Sequence, residues 1–331
     1  MEGINIHKRP RLKKPYLIVA WPGMGEVAFK AATYLVDQLK AREFASMVSE
    51  EFFFLTGSVI KDGVLSMPDM PQSKFYYWKN PAANAGAKNE SHDLIVFISN
   101  SQPDLSKAEP YSQRIIELAK SFKAEMIISF ASLPQAIDHI QDPAVWLAAT
   151  SADLKNSMKK HNLNPLPDGQ VSGMNGLFLG LAKREGLKGI CLLAEIPLYT
   201  IQIENPRASC AVLKALSGII NLSLDFGLLS EQAHSMGGEI DKLLDYLKIA
   251  PQAHSGPIGE EEIERIKKNL AQLTKLPASV KEKIEKLFEA TRSDIAKAGE
   301  LKGELDKWSV YKEYEDRFLD LFRKEPKEKG N

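Results

Sequence analysis

Five short, unbroken apolar runs alternate with helix-length amphipathic patterns through the first two thirds of the chain. The runs lie at residues 17–21, 94–99, 126–131, 145–150 and 190–195. Apolar runs of this length, bounded by polar residues or by glycine and proline, suit strands buried on both faces. Between them, residues 27–40, 110–122, 152–160, 175–185 and 207–222 space their apolar side chains as helices do. The alternation predicts an α/β protein, a three-layer α/β/α sandwich around a mostly parallel or mixed sheet. One stretch breaks the rhythm. Residues 52–55, 58–61, 64–67 and 74–78 read as short strands, and Lys61-Asp62-Gly63-Val64 as a tight hairpin turn, so an antiparallel insert or sheet extension is expected there. The aromatic run Phe75-Tyr76-Tyr77-Trp78 fits packing along a strand.

At 331 residues the chain has material for one large domain or two ordinary ones, and it needs no disulfide or metal to close a core. Lys plus Arg and Asp plus Glu number 43 each, so no global field draws in nucleic acid or an acidic membrane. The exception is the basic stretch His7-Lys8-Arg9-Pro10-Arg11-Leu12-Lys13-Lys14, read as a solvated arm over residues 1–14. Two cysteines, Cys191 and Cys210, lie in apolar and helical patterns and suggest reduced thiols in a cytoplasmic protein. No run approaches the length of a membrane span, so no membrane partner is expected. Composition shifts at the Pro- and Gly-rich residues 250–259; beyond them Glu, Lys, Leu, Ile and Ala recur at helical spacing. This gives an α/β core over residues 15–250 and a charged, α-helical C-terminal extension over 251–331. Helices are expected at 260–272, 277–298 and 305–323. In the last, Trp308, Tyr311, Phe318 and Phe322, with Leu319, form an apolar stripe that either packs on its own hairpin or docks a neighbouring subunit.

Chemistry concentrates where strands end. The first strand runs into Trp21-Pro22-Gly23-Met24-Gly25-Glu26 just before a helix, so Gly23, Gly25 and the amide of Glu26 are candidates for holding an anion. The turn is neither a dinucleotide fingerprint, since Ala28 stands where a third glycine is usual, nor a phosphate loop, since no Gly-Lys-Ser/Thr follows. A second glycine cluster, Ser172-Gly173-Met174-Asn175-Gly176, opens another helix, and Gly180 is read as allowing that helix close to the sheet. Asn100 and Ser101, beside Ser99, Gln102 and Ser132, end other strands and would converge on the same edge of a parallel sheet. Glu195 closes the last apolar run. A carboxylate there either accepts hydrogen bonds from a ligand hydroxyl or pins a neighbouring loop or subunit. His139 and His161 sit among polar residues and are expected at the surface. No nucleophile–base pairing, metal-ligand spacing or cofactor motif is present, so no catalytic residue, metal or cofactor is assigned.

The strand ending in Pro22-Gly23-Met24-Gly25, the middle α/β alternation, and Ser172-Gly173-Met174-Asn175-Gly176 followed by Cys191-Leu192-Leu193-Ala194-Glu195 resemble the proteasome assembly chaperone type 2 family over about residues 15 to 250. The resemblance implies a three-layer fold akin to nucleoside phosphorylases, a homo-oligomer such as a trimer, and a non-enzymatic assembly or interaction role with a protein partner. Similar chaperones help build the 20S proteasome ring, and many end in a hydrophobic–Tyr–any tripeptide that docks on proteasome subunits. The last residues here are Lys329-Gly330-Asn331, and Val310-Tyr311-Lys312 lies inside an expected helix, so docking through such a tail is not expected. The phosphorylase likeness leaves an alternative, a phosphate- or nucleoside-binding protein or enzyme using Gly23, Gly25, Glu26 and Glu195.

Overall fold

Four of the five apolar runs become the centre of a sheet, and the fifth, at residues 145–149, becomes a half-buried antiparallel flank. A computed structural model describes residues 3–48, 50–55, 57–81, 91–253, 278–307 and 310–322. The strands are β1 (Ile4–Ile6), β2 (Tyr16–Ala20), β3 (Arg42–Met47), β4 (Val59–Lys61), β5 (Val64–Ser66), β6 (Ser73–Trp78), β7 (Leu94–Ser99), β8 (Met126–Gln135), β9 (Val145–Ala149), β10 (Asn164–Pro165) and β11 (Gly189–Pro197). The helices are α1 (Val27–Leu39), α2 (Ala108–Ser121), α3 (Ala152–Ser157), α4 (Met174–Arg184), α5 (Pro206–Ile220), α6 (Gly227–Ala253), α7 (Ala278–Ser293), α8 (Ala298–Lys307) and α9 (Tyr311–Asp320). Their contacts fall into two compact units, Met1–Phe226 and Gly227–Asn331. Residue 250, where composition changes, lies within the span of α6.

The first unit is the expected three-layer α/β/α sandwich around a mixed sheet of nine strands, in the order β1-β3-β6-β7-β2-β8-β11-β9-β10. Its centre, β7-β2-β8-β11, is parallel. The flanks turn antiparallel at β6 on one side and β9 on the other. Strands of the centre are buried on both faces, and the pleat divides their side chains. Leu17, Val19, Ile95, Phe97, Ile127, Cys191 and Leu193 join a core with Tyr111 and Ile115 of α2 and Phe178 of α4. Intervening residues such as Ile18, Ile128 and Leu192 are fully buried beneath the opposite layer, where α1 and α5 pack. Helix α1 turns Val27, Ala28, Ala31, Ala32 and Leu35 inward, mostly small residues that let it lie close to the sheet. Asn205 caps α5 by accepting from the amide of Ala208 at 2.9 Å, with Pro206 in the first turn.

Several expectations are corrected. Residues 52–55 form no strand; Phe52 and Phe53 instead leave the sheet to pack edge-on against Tyr111. Conversely, β1 and β3 carry no unbroken apolar run, because each buries only part of its length, Ile4 in β1 and Phe44, Ala45 and Met47 in β3; β1 draws Ile4–Ile6 of the basic arm into the sheet against β3. In the second unit the helix expected over 277–298 stops at Ser293, and a short 3-10 turn, Ile295–Lys297, leads into α8. There Ile284, Phe288, Leu301, Leu305, Val310 and Phe318 form a core. Arg317 of α9 grips Glu285 of α7 with two bonds of 2.8 Å while stacking over Phe288 at 4.4 Å. The helix expected at 260–272 lies outside the described residues.

Candidate functional site

The carboxyl ends of β2, β7, β8 and β11 share one edge of the sheet, and the glycine clusters meet there. Ala20, the last residue of β2, leads into Trp21, fully buried among Phe97, Tyr111 and Phe178. Its backbone would be orphaned at the strand end. Asn175, from the first turn of α4, supplies both partners: the Trp21 N–H donates to Asn175 Oδ1 and Asn175 Nδ2 donates to the Trp21 carbonyl, each at 3.0 Å. Gln102 repeats the device one residue on. Its Nε2 donates to the Pro22 carbonyl at 2.5 Å, and its Oε1 accepts from the Met174 amide at 3.0 Å. Ser132 closes the third side by donating to the Met24 carbonyl at 2.5 Å.

The turn itself is strained. Gly25 (φ 63°) and Glu26 (φ 51°) are both left-handed, and Glu26 is a residue for which that region is uncommon. Gly23 is extended, at φ −167°. The Gly25 amide donates to the Ile201 carbonyl at 2.9 Å and the Glu26 amide to the Gly23 carbonyl at 2.9 Å. The amides of Gly25 and Glu26, which the sequence offers to an anion, are thus engaged within the fold. The Glu26 carboxyl is pushed up to about 7, first by burial and then by the neighbouring Glu204 carboxylate, against a smaller pull from Lys30. Lys30 and Glu204 pair with each other at 2.7 Å.

Of the remaining candidates, Asn100 is exposed and ties β7 to the start of β6, accepting from the Gln72 amide at 2.8 Å. Ser101 is half-buried, and its carbonyl accepts from Ser99 Oγ at 2.7 Å. Ser99 continues inward through Ser73 to the buried Tyr111 hydroxyl, whose burial raises its pKa. Ser172 is exposed and Gly173 adopts φ 71° ahead of α4. Gly176 lies inside the helix, where a side chain would run into the Val171 carbonyl. Gly180, expected to allow close packing on the sheet, lies on the outer face of α4 with open space beside it. Glu195 turns along the sheet: Oε1 accepts from the Trp146 indole at 2.9 Å and Oε2 from the Ala144 amide at 3.2 Å, so it pins the entry to β9. In the second unit Phe318 is buried, Tyr311 is half-buried, Phe322 is exposed, and Trp308 lies outside the described residues.

Two features were not legible in the sequence. Expected at the surface, His139 is buried; its backbone N–H donates to the Tyr199 hydroxyl at 2.9 Å, and its Nδ1 lies 2.9 Å from the same oxygen. An aromatic at position 199, sixty residues away, gives no local signal for that. The second is apolar. Six large hydrophobic side chains stand exposed on segments at this same edge: Met24 after β2, Leu105 after β7, Ile140 after β8, Leu177 on the first turns of α4, and Leu198 and Tyr199 after β11, between 39% and 72% exposed. They lie far apart in the sequence, and only the topology brings them to one edge. Among the described residues no group of three or more His, Cys, Asp or Glu is placed to hold a metal ion. No helix of the described residues is long and apolar enough to cross a membrane.

The chain belongs to the PAC2 family, whose pattern matches residues 17–244. It is similar to Pyrococcus furiosus PbaB, an archaeal proteasome activator, at 27% identity and a TM-score of 0.60, over 74% of this chain and 98% of that one. Pyrococcus furiosus PbaA, an archaeal homologue of proteasome-assembly chaperone, shares the fold at 21% identity and a TM-score of 0.55, over 75% of this chain and 99% of that one. An uncharacterised protein of Methanocaldococcus jannaschii is 26% identical over 260 residues, 77% of this chain and 93% of its own.

Proposed function

We propose that this PAC2-family chain is a non-enzymatic, cytoplasmic assembly or interaction protein that works as a homo-oligomer and receives a protein partner on the carboxyl edge of its parallel strands. One observation carries the reading. The edge where open α/β sheets usually offer free polar groups to a small ligand is tied off by its own side chains and is lined by exposed hydrophobic residues. Scattered exposed apolar residues are ordinary, whereas several on one edge suit a protein interface, whose buried centre is depleted in charge. Proteasome subunits are the first partners to test, because the similar PbaB is a proteasome activator. The test compares capture of purified proteasome subunits by the wild-type chain and by Ile140→Asp with Leu198→Asp. Both substitutions are at exposed sites, so the fold should persist while capture falls at least tenfold. Equal capture by both proteins would refute the edge as the docking surface.

A second reading draws on the strained Gly25-Glu26 pair, since strain of this kind collects at ligand sites. In it the edge binds phosphate or a nucleoside. A ligand at 100 times its dissociation constant stabilises the native state by about 2.7 kcal/mol. Thermal unfolding with phosphate, nucleosides and nucleotides should therefore be flat under the first reading. A rise abolished by Gly25→Val or Glu195→Ala would favour the second.

A further inference from the structure

The opposite edge of the sheet, where the parallel strands begin, carries positive charge. Its cations come from segments far apart in sequence: Arg42 opens β3, Lys79 follows β6, Lys123 precedes β8 and Lys188 precedes β11. Strand order sets them in a row. Arg42 pairs with Tyr77 of β6, Trp78 with Leu94 of β7, and Tyr16 of β2 with both Leu94 and Met126, while the Ile127 amide donates to the Lys188 carbonyl at 2.9 Å. With strands about 4.8 Å apart, the row from β3 to β11 is about 24 Å long. The basic arm runs along it. Arg9 stacks over Phe122 at 5.1 Å and the Lys13 carbonyl accepts from the Asp93 amide at 3.2 Å, which holds Arg11 at the same edge. Arg11, Lys40, Arg42, Lys79, Lys123 and Lys188 are all exposed, and among the described residues none of them is in an ion pair.

The acids of this edge do not cancel the row. Glu43 pairs with Lys74 at 3.2 Å, Glu125 lies 3.9 Å from Lys14, and Glu185 pairs with Lys120 at 2.7 Å. Asp93 is buried, accepting from the Lys13 and Asn80 amides at 2.6 and 2.8 Å. Asp37 and Glu117 stand back on the last turns of α1 and α2. Lys40 and Lys123 follow those helices, where a cation also suits the helix dipole. Arg42, Lys79 and Lys188 sit at strand ends, where that reason does not apply. Lysine also holds left-handed positions at Lys14 (φ 44°), Lys40 (φ 49°) and Lys123 (φ 54°), whereas Gly186 (φ 79°) fills the corresponding place after α4 without strain.

The surroundings select the partner. Among the described residues of the first unit, every exposed large hydrophobic side chain lies at the carboxyl edge or in the connection between β3 and β6, which leaves and returns at that edge. The cationic edge thus lacks both the apolar centre of a protein interface and the side chains that a membrane-surface element inserts. Nucleic-acid backbones need neither, because neutralising phosphates and releasing their counterions drives the binding. We propose that the amino edge of the parallel strands binds the phosphate backbone of a single-stranded nucleic acid along Arg42, Lys79, Lys123 and Lys188, without reading its sequence. The chain's zero net charge is compatible with this, since the field that matters is the local one.

Fluorescence anisotropy of the full chain with a labelled single strand of about 20 nucleotides tests it, titrated at several salt concentrations. The wild type should bind, and the logarithm of the affinity should fall against the logarithm of salt with a slope of about −3, for the phosphates met by the row. Lys79→Gln with Lys188→Gln should weaken binding at least tenfold and make the slope shallower by about 1.4, with an unchanged circular dichroism spectrum. Ile140→Asp with Leu198→Asp, on the other edge, should bind the strand as the wild type does. No binding by the wild type, or an affinity and slope unchanged in Lys79→Gln with Lys188→Gln, overturns the proposal. Tighter binding to polyglutamate or to phosphatidylserine vesicles than to the strand also overturns it, assigning the edge to an acidic protein or to a membrane.

Discussion

Asn175 shows how far a single side chain reaches in this fold. It replaces the two hydrogen bonds that Trp21 would lose on leaving β2, and it does so from 154 residues away. Asn175→Leu keeps the approximate volume and orphans a buried donor and a buried acceptor, each worth about 1–3 kcal/mol. We expect a destabilisation of about 2–4 kcal/mol, read from the urea midpoint at unchanged slope. Glu26 offers a pH test. Its carboxyl is raised in the folded protein from 4.5 to about 7, chiefly by burial. Between those values the native state holds a proton that the unfolded chain has released, so stability falls as pH rises through this window and levels off above it. Glu26→Gln should therefore flatten the profile of urea midpoint against pH between 4.5 and 7. A variant with the wild-type slope would show that the carboxyl does not titrate there. The glycines at this edge were visible in the sequence, but the roles of Asn175, Gln102 and Ser132 were not, because a hydrogen-bond partner so distant in the chain leaves no local pattern.

At the scale of elements, α4 separates two glycines that look alike in sequence. Gly176 faces the Val171 carbonyl so closely that a methyl group would have to displace backbone, whereas Gly180 faces open space. Gly176→Ala should cost about 1–3 kcal/mol through overpacking. Gly180→Ala should stabilise by about 0.5–1 kcal/mol by removing backbone freedom from a helix interior. Thermal denaturation of the pair settles both, and equal effects would refute the assignment of faces. The buried central strands and the helices between them could be read from period and length alone, because burial on both faces demands an unbroken apolar run. The hairpin turn was equally plain, since Asp62-Gly63 satisfies two left-handed positions. Strands β1 and β3 were not: Arg42-Glu43-Phe44-Ala45-Ser46-Met47 exposes its first two residues and carries a bulge after Glu43, which breaks the alternation. Phe52 and Phe53 mimicked a strand because aromatic residues favour sheets, yet here they cap the core from a loop.

At the scale of the whole molecule, the division at Phe226 predicts that residues 1–226 fold alone. This unit contains the whole nine-stranded sheet with helices on both faces and its own core. The truncated chain should unfold in one cooperative urea transition with a smaller slope than the full protein, in proportion to the surface it exposes. A broad, non-cooperative transition would refute an independent first unit. The sequence by itself determined the α/β class, the central strands, the hairpin and the family, because each rests on local periodicity, turn chemistry or short motifs. Only the tertiary structure decided what the carboxyl edge presents. Met24, Leu105, Ile140, Leu177, Leu198 and Tyr199 are scattered along 176 positions of chain and meet on one edge through the parallel order of the strands. Glu195 and the Gly25 turn have the composition of a ligand site, yet their hydrogen bonds go to Trp146, Ala144 and Ile201. The type of a residue fixes what it can bond, and the fold fixes which partner reaches it first.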